Sequence, residues 1–173
     1  VPLILEAIGV GSEWAWGSFW ALDEAKGILR VHWNWGAPGF DSPKWMADSE
    51  GVSFASDQGL PGLTWTQGIP QWMEDLADDS RFVRKEAARQ AGLRSGFAFP
   101  VRLQDRVLGV MTFFSLEHRS LDEEFLIMMG SLGSQLGQFM ERTRVEAELR
   151  RSEVNYRVMV EQAGEGIYLI DLE

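Results

Sequence analysis

The first clear pattern in the chain is an alternation of large and small residues near its start. One side of the alternation carries four large residues, Trp14, Trp16, Trp20 and Leu22. This two-residue period is typical of a strand with at least one buried face. A polar turn at Asp23–Gly27 and a second β-rich stretch at Ile28–Trp35 follow, so the sequence predicts a β-hairpin.

Turns rich in glycine and proline divide the middle of the chain into short elements. The predicted elements are a short helix ending at Gly68, a strand over 71–74, a helix over 81–91, and strands over 95–103 and 106–115. Ser80 is the predicted N-cap of the second helix and Gly92 is its C-terminal stop. Strands and helices mixed in this order predict an α+β sandwich and exclude a doubly wound parallel sheet.

A long helix without proline is predicted from Leu121 to about Arg151. Apolar residues on it alternate spacings of four and three, which is the heptad pattern of a coiled coil. This seam consists of Phe125, Met129, Leu132, Leu136 and Phe139, and weakens at Thr143 and Glu146. We expect the seam to form the interface of a parallel homodimer. Glycines at 130, 133 and 137 form a second stripe, where another backbone or the sheet can approach closely.

The pattern changes again after Ser152. Tyr156–Ala163 is predicted to be helical, Gly164 and Gly166 break that helix, and Ile167–Ile170 is strand-like. A chain of 173 residues has room for one domain of ordinary size with appendages, so a second complete domain does not fit.

The composition excludes several classes of function. The formal net charge of −10 disfavours binding to nucleic acid and to anionic lipid, because both rest on Lys and Arg side chains that neutralise phosphates. No apolar run approaches the ~20 residues of a membrane span. We therefore expect a soluble, cytoplasmic protein that contacts neither nucleic acid nor membrane directly.

The absence of cysteine narrows the chemistry further. It excludes disulfides, thiolate nucleophiles, Cys-based zinc sites and thioether-linked chromophores. A haem ligand would have to be His32, in an aromatic strand, or His118, in a polar loop, and both are better explained as ordinary side chains. The acidic group Glu74, Asp75, Asp78 and Asp79 is more typical of helix capping than of metal binding. We expect no cofactor, no metal and no catalytic residue.

Six short motifs, in order and spacing, resemble the GAF family over about residues 1–140. They are Asp57–Gly62, Trp72–Asp75, Arg81-Phe82, Gly92–Ser95, Phe99–Val101 and Leu108–Val110. The stretches Phe113–Ser115 and Gly133–Phe139 look like the GAF variety of multidomain bacterial sensor histidine kinases and diguanylate cyclases. The tail from Leu149 to Asp171 resembles a linker that leads into a PAS domain.

The resemblance implies a domain organisation and a fold. Residues 1–140 would be the GAF domain, 141–151 the signalling helix or linker, and 152–173 the start of a truncated PAS domain. The implied fold is a GAF-like antiparallel sheet with the terminal helices on one face and a loop-covered pocket on the other. A ligand or a change of state in that pocket would shift the terminal helices and bias a downstream effector.

Ligand classes within the family differ in residues that can be checked here. GAF domains that hold bilins covalently and GAF-type methionine sulfoxide reductases both depend on Cys, so both are excluded. Members that bind cyclic nucleotides resemble one another in an Asn-Lys pair at the end of the last strand. Ser115-Leu116 replaces that pair here, so we do not expect cyclic nucleotide binding. Ser18 matches a pocket serine of those domains, although a serine on a strand is more often structural.

Eight tryptophans lie within the first 72 residues. Core filling is the simpler interpretation of Trp14, Trp16 and Trp20. Tryptophan also suits binding sites, because it combines a large apolar area with one polar N–H group. The residues predicted to line a ligand pocket are Ser18, Trp33, Trp65, Trp72, Phe82 and Phe97. Such a pocket would favour a flat aromatic or largely apolar ligand.

Two functional interpretations follow from these features. In the first, the domain binds an unidentified small molecule and relays the signal through its C-terminal helix to a downstream output in two-component or cyclic-di-GMP signalling. In the alternative, it is a ligandless dimerisation and relay module. Neither makes this part of the protein an enzyme, although a histidine kinase or diguanylate cyclase would supply the output.

Overall fold

The computed structural model describes the backbone of residues 1–170 and the side chains of residues 1–159. The helices are α1 (Pro2–Gly11), α2 (Pro43–Gly51), α3 (Gly59–Gln67), α4 (Lys85–Gln90) and α5 (Glu123–Ile170). The strands are β1 (Trp16–Asp23), β2 (Ile28–Gly36), β3 (Ser53–Phe54), β4 (Gln71–Met73), β5 (Ser95–Leu103) and β6 (Arg106–Ser115). The described residues divide into two compact units, one from Val1 to Gly137 and one from Gln138 onward.

The first unit is built on one six-stranded sheet with the order β3-β2-β1-β6-β5-β4. Every neighbouring pair is antiparallel, and the turn at Gln104-Asp105 joins β5 to β6. The sequence predicted both ends of β5 and of β6. The α+β prediction with an antiparallel sheet is therefore confirmed.

The sheet separates two apolar layers. We call one side the helix face, because α1 and α5 cover it. Leu5 of α1 lies close to Gly17, and the ring centroid of Phe125 of α5 lies 5.1 Å from that of Phe97. On the other side, which we call the loop face, α2, α3 and α4 cover the sheet with Trp45, Leu60 and Ala88. Terminal helices on one face and short helices with loops on the other match the arrangement that the family resemblance implies.

A β-bulge at His32 changes which side of the sheet the side chains of β2 lie on. The pairing register shifts so that Trp20 lies opposite Val31 while Phe19 lies opposite Trp33. His32 is the extra residue, and an extra residue reverses the alternation of the strand beyond it. Val31 therefore packs on the loop-face core, whereas Trp33 lies on the side of Phe19, the helix face.

Two glycines of α5 lie directly against β5. A Cβ atom on Gly133 would overlap the carbonyl oxygen of Pro100, and one on Gly137 would overlap the carbonyl oxygen of Arg102. Gly130 is less crowded, because a Cβ atom there would lie 3.1 Å from Cγ of Pro70. The glycine stripe predicted from the sequence thus serves contact with the sheet.

Some local predictions are wrong for identifiable reasons. The helix predicted over 81–91 begins only at Lys85, because Asp79 accepts the backbone N–H of Arg81 and holds that stretch in a turn. Helix α2 was not predicted from the sequence, because a stretch rich in glycine and proline is typical of turns, although Pro43 suits the first turn of a helix.

The end of the described chain also differs from its prediction. The strand predicted over Ile167–Ile170 is wrong, because α5 continues through Gly164 and Gly166 to Ile170. A helix satisfies its own backbone hydrogen bonds, whereas a strand needs a partner. Residues 171–173 of the predicted PAS segment lie outside the described residues. None of the helices in the described residues combines the length and the apolar character of a membrane span.

Candidate functional site

The six residues predicted to line one pocket lie on opposite faces of the sheet. Ser18, Trp65 and Phe82 belong to the loop face. Trp33, Trp72 and Phe97 belong to the helix face. The prediction of a single cavity lined by all six residues is therefore wrong. The three residues on each face are considered separately.

Trp72 and Phe97 form part of an aromatic core beneath α5. They are register partners on β4 and β5, and their rings stack with centroids 5.7 Å apart. Trp14 lies 4.6 Å from Phe97, and Phe125 closes the group from α5. Trp14, predicted on the strand with Trp16, instead precedes β1 and packs on the other face. These contacts explain Trp72 and Phe97 as core residues.

The same packing corrects most of the predicted dimer seam. Met129 is only 5% exposed and Leu136 only 7% exposed within the single chain. Phe125 packs in the aromatic core, and Leu132 is half-buried. The sheet already covers these side chains, so Met129 and Leu136 cannot contact a second copy without exposing the core. Phe139, at 60% exposure, is the one member of the seam that is largely exposed.

Aromatic side chains fill the core of the loop face. Trp45 and Phe82 both pack against Phe114, with ring centroids 5.4 and 5.8 Å away. The indole N–H of Trp16 donates to Ser18 Oγ at 2.9 Å, and that of Trp20 donates to Thr112 Oγ1 at 3.0 Å. Because both indoles find partners inside the core, they behave as packed residues rather than as lining of an open ligand cavity.

The buried Trp45 and the half-buried Arg84 form a cation–π pair that no pattern in the sequence indicates. The Arg84 guanidinium lies 3.8 Å from the ring centroid, and both of its terminal nitrogens donate to Ser49 Oγ at 3.1 Å. Burial lowers the pKa of Arg84 to about 10, so it is still protonated at neutral pH. Trp45 is 1% exposed, and its indole N–H has no partner among the described residues.

Arg119, in the loop between β6 and α5, contacts three other segments. Its Nη1 and Nη2 donate to the carbonyl oxygens of Ser12 and Glu13, each at 2.7 Å, and its Nε donates to Ser115 Oγ at 3.2 Å. Its own carbonyl accepts the indole N–H of Trp72 at 3.0 Å. We call this arrangement the Arg119 clamp. It joins the end of α1, the end of β6 and strand β4 just before α5 begins.

Two further contacts hold α5 and the residues just before it. Glu74 Oε1 accepts the backbone N–H of Leu121 at 2.7 Å. Arg102 donates from Nε to Ser134 Oγ at 3.2 Å and from Nη1 to the carbonyl of Gly68, the cap of α3, at 3.4 Å. Both interactions connect residues far apart in the sequence, which periodicity cannot detect.

The acidic group at 74–79 makes local hydrogen bonds. Asp75 Oδ1 accepts the backbone N–H of Ala77 at 2.8 Å, and Asp79 pairs with the Arg81 guanidinium. Hydrogen bonds from Arg81 lower the pKa of Asp79. Within the described side chains, no group of three or more His, Cys, Asp or Glu is arranged to hold a metal ion.

The second unit presents its own apolar seam. Four exposed residues share heptad spacing with Ser152 between them, namely Val145, Leu149, Tyr156 and Met159. Arg144 pairs with Glu141 and Glu148 on the same helix. The seam predicted from the sequence continues in its own heptad register to Thr143 and Glu146. The exposed seam of the second unit lies in a different register, so the prediction did not include it.

The sequence of residues 2–141 matches the GAF domain family. A search of curated proteins found no match.

Solved structures with a similar fold come from several bacteria. A domain of a putative two-component sensor histidine kinase from Sinorhizobium meliloti 1021 is 23% identical, with a TM-score of 0.64 over 86% of this chain and 92% of that one. The GAF domain region of a putative membrane protein from Geobacter sulfurreducens PCA is 20% identical, with a TM-score of 0.66 over 81% and 89%.

An enzyme shares the fold as well. The free methionine-R-sulfoxide reductase from Neisseria meningitidis, solved in complex with its substrate, is 19% identical, with a TM-score of 0.67 over 84% of this chain and 78% of that one. At these sequence identities, the similarity to the solved structures shows a shared fold and nothing further.

Proposed function

This chain belongs to the GAF domain family, whose members are sensory and regulatory modules, and we propose that it acts as a conformational relay with a filled aromatic core. The Arg119 clamp is the observation that carries the proposal. It connects α1, where the described chain starts, to α5, the helix that continues into the second unit. The filled loop face favours a relay over a domain that encloses a ligand at the predicted pocket residues.

The clamp suits a relay because of the chemistry of arginine. The guanidinium is a planar, rigid fork, so acceptors bound to it keep a fixed mutual geometry. Each hydrogen bond from a charged group contributes about 1.5–3 kcal/mol to stability. A displacement of the Ser12 and Glu13 carbonyls therefore moves Arg119 and the adjoining start of α5, or breaks these bonds at comparable cost.

The output side of the proposal rests on the seam of the second unit. Val145, Leu149 and Tyr156 are exposed at heptad spacing, and pairing with a second copy would bury them. We propose a parallel homodimer through this seam, in a cytoplasmic protein whose output is a histidine kinase or a diguanylate cyclase. The signalling helix would lead into the PAS-like segment that the sequence resembles. The domain itself would have no catalytic role.

Replacing Arg119 with Gln tests the relay. We expect faster amide hydrogen exchange at the end of α1 and at the start of α5 together, because the variant loses the charged hydrogen bonds that tie the loop before α5 to the Ser12 and Glu13 carbonyls. Arg106→Gln is the matched control, since Arg106 is an exposed arginine with a surface ion pair to Glu24 at 3.4 Å. A change confined to one of the two helices, or equal changes in the control, would contradict the clamp.

A second candidate function is ligand sensing at the loop face, favoured by the unpartnered indole N–H of Trp45. A ligand with a hydrogen-bond acceptor could satisfy this group after displacing neighbouring side chains. The relay proposal predicts that no compound in a panel of aromatic metabolites raises the melting temperature appreciably.

A bound ligand would be easy to detect in that panel. At a hundred times its Kd it adds about 2.7 kcal/mol to stability and raises Tm by roughly 5–10 °C. Trp45→Phe is the control, because it removes the N–H group and keeps an aromatic ring beside Arg84. A thermal shift that is lost in Trp45→Phe would establish the sensing function instead.

A further inference from the structure

A cavity of about 140 Å³ lies between α4, the turn after β4 and the loop after β6. Its charged and titratable lining consists of Asp75, Lys85, Arg89, Arg94 and His118. We propose that this cavity binds a small oxyanion, either inorganic phosphate or the phosphate group of a metabolite. The space holds several water molecules and hence a group of that size.

Two of the cations have donors to spare. Lys85 Nζ donates to the carbonyl of Ala77 at 2.8 Å, which leaves two of its three N–H groups available. The Arg94 guanidinium has no hydrogen-bond or ion-pair partner among the described residues. A guanidinium offers a planar fork that matches the oxygens of a phosphate, and an ammonium adds a point charge. Together they supply the donors that an oxyanion needs.

The other charged groups at the cavity are already paired. Arg89 donates to Glu86, which lies outside the cavity, at 2.7 Å, and hydrogen bonds from Arg89 and Gln90 lower the pKa of Glu86 to about 2. Asp75 uses Oδ1 for the backbone N–H of Ala77, and its Oδ2 lies 3.7 Å from Nδ1 of His118. The carboxylates thus have local partners, while Lys85 and Arg94 remain the cations available to an anion.

The charge distribution along the chain points to the same place. Residues 81–94 hold five basic residues and one acidic residue, in a chain whose formal net charge is −10. An anion is repelled by most of this protein and attracted to this segment. The negative surroundings and the small volume favour a small anion over a nucleic acid or a lipid surface.

An anion in the cavity would act next to the Arg119 clamp. His118 precedes Arg119, and Asp75 follows Glu74, which accepts the N–H of Leu121. The cavity therefore offers an input to the loop that begins α5. The anion site does not depend on the relay proposal, because binding can be measured whether or not the clamp transmits it.

Calorimetry with the whole chain tests the site, at ionic strength held constant with chloride. The two probes are inorganic phosphate and glycerol 3-phosphate. We expect a Kd of about 1 mM for phosphate, a plausible affinity for five non-hydrogen atoms. Arg94→Gln and Lys85→Gln should each weaken binding about fivefold or more, since each removes a charged donor. Tighter binding of glycerol 3-phosphate would identify a metabolite as the source, and tighter binding of phosphate would identify the free ion.

Lys26→Gln is the matched control, because Lys26 is an exposed lysine in the β1–β2 turn that pairs with Asp23 at 3.8 Å. It should change the Kd less than twofold. Arg94 is exposed, so Arg94→Gln is expected to fold, and its unfolding midpoint verifies this. The proposal is overturned if wild type shows no saturable binding of either probe, or if the control weakens binding as much as Arg94→Gln does.

Discussion

Leu136→Asp is expected to unfold the first unit. Leu136 is 7% exposed and lies on the part of α5 that packs against the sheet. Deleting a buried leucine costs about 2–5 kcal/mol, and a buried unpaired carboxylate adds to that cost. Small domains have only about 5–15 kcal/mol of stability in total. Urea denaturation followed by circular dichroism measures the loss directly.

Leu149→Asp provides the matched comparison on the same helix. Leu149 is 61% exposed in the seam of the second unit. This variant should keep the urea midpoint of wild type while shifting sedimentation toward the monomer. A monomeric wild type at micromolar concentration would contradict the dimer proposal. If the Leu136→Asp variant folds but is monomeric, the dimer interface contains Leu136, as the sequence pattern predicted.

Gly137→Ala is expected to destabilise the protein by about 2 kcal/mol or more. Helix propensity alone predicts the opposite sign, since alanine is favoured over glycine by about 1 kcal/mol in a helix interior. The new Cβ, however, would overlap the Arg102 carbonyl oxygen of β5, and overpacking against backbone costs about 1–3 kcal/mol or more. The packing cost exceeds the propensity gain because a backbone carbonyl cannot rotate away.

Gly130→Ala separates the two effects. Its Cβ would meet only the ring of Pro70 at 3.1 Å, so propensity and packing nearly cancel and stability should stay close to wild type. Thermal denaturation of both variants decides the matter. If Gly137→Ala is as stable as Gly130→Ala, α5 does not lie as close to β5 as the structure places it.

The elements with local signals were predictable from the sequence. The boundaries of β5 and β6 follow from apolar runs around one short turn, so their prediction is confirmed. The position of Trp33 was not predictable, because a single extra residue at His32 reverses the side on which it lies. Alternation shows that a strand has two faces and does not show where a bulge exchanges them.

The long helix illustrates a second limit. A heptad pattern reports that one side of a helix is apolar, and it does not identify what covers that side. Here the sheet covers Met129 and Leu136. The glycines at 133 and 137 contained the missing signal, because small residues beside an apolar stripe allow close approach to a backbone.

The Trp45–Arg84 pair and the Arg119 clamp required the structure. Arg84 lies far along the chain from Trp45, and Arg119 reaches 107 residues back to Ser12. No local pattern connects such positions. In the sequence, both arginines are ordinary members of polar stretches.

The Arg119 clamp has a consequence for how such a domain can be recombined in evolution. Its two contacts on the end of α1 are backbone carbonyls, of Ser12 and Glu13. Every residue type supplies the same carbonyl group, so the clamp makes no demand on the side chains at those positions. A different upstream helix can be joined to this domain by gene fusion, provided that its chain ends with the same backbone path. Coupling to α5 would then be inherited from Arg119 and its partners within the domain, Ser115 and Trp72.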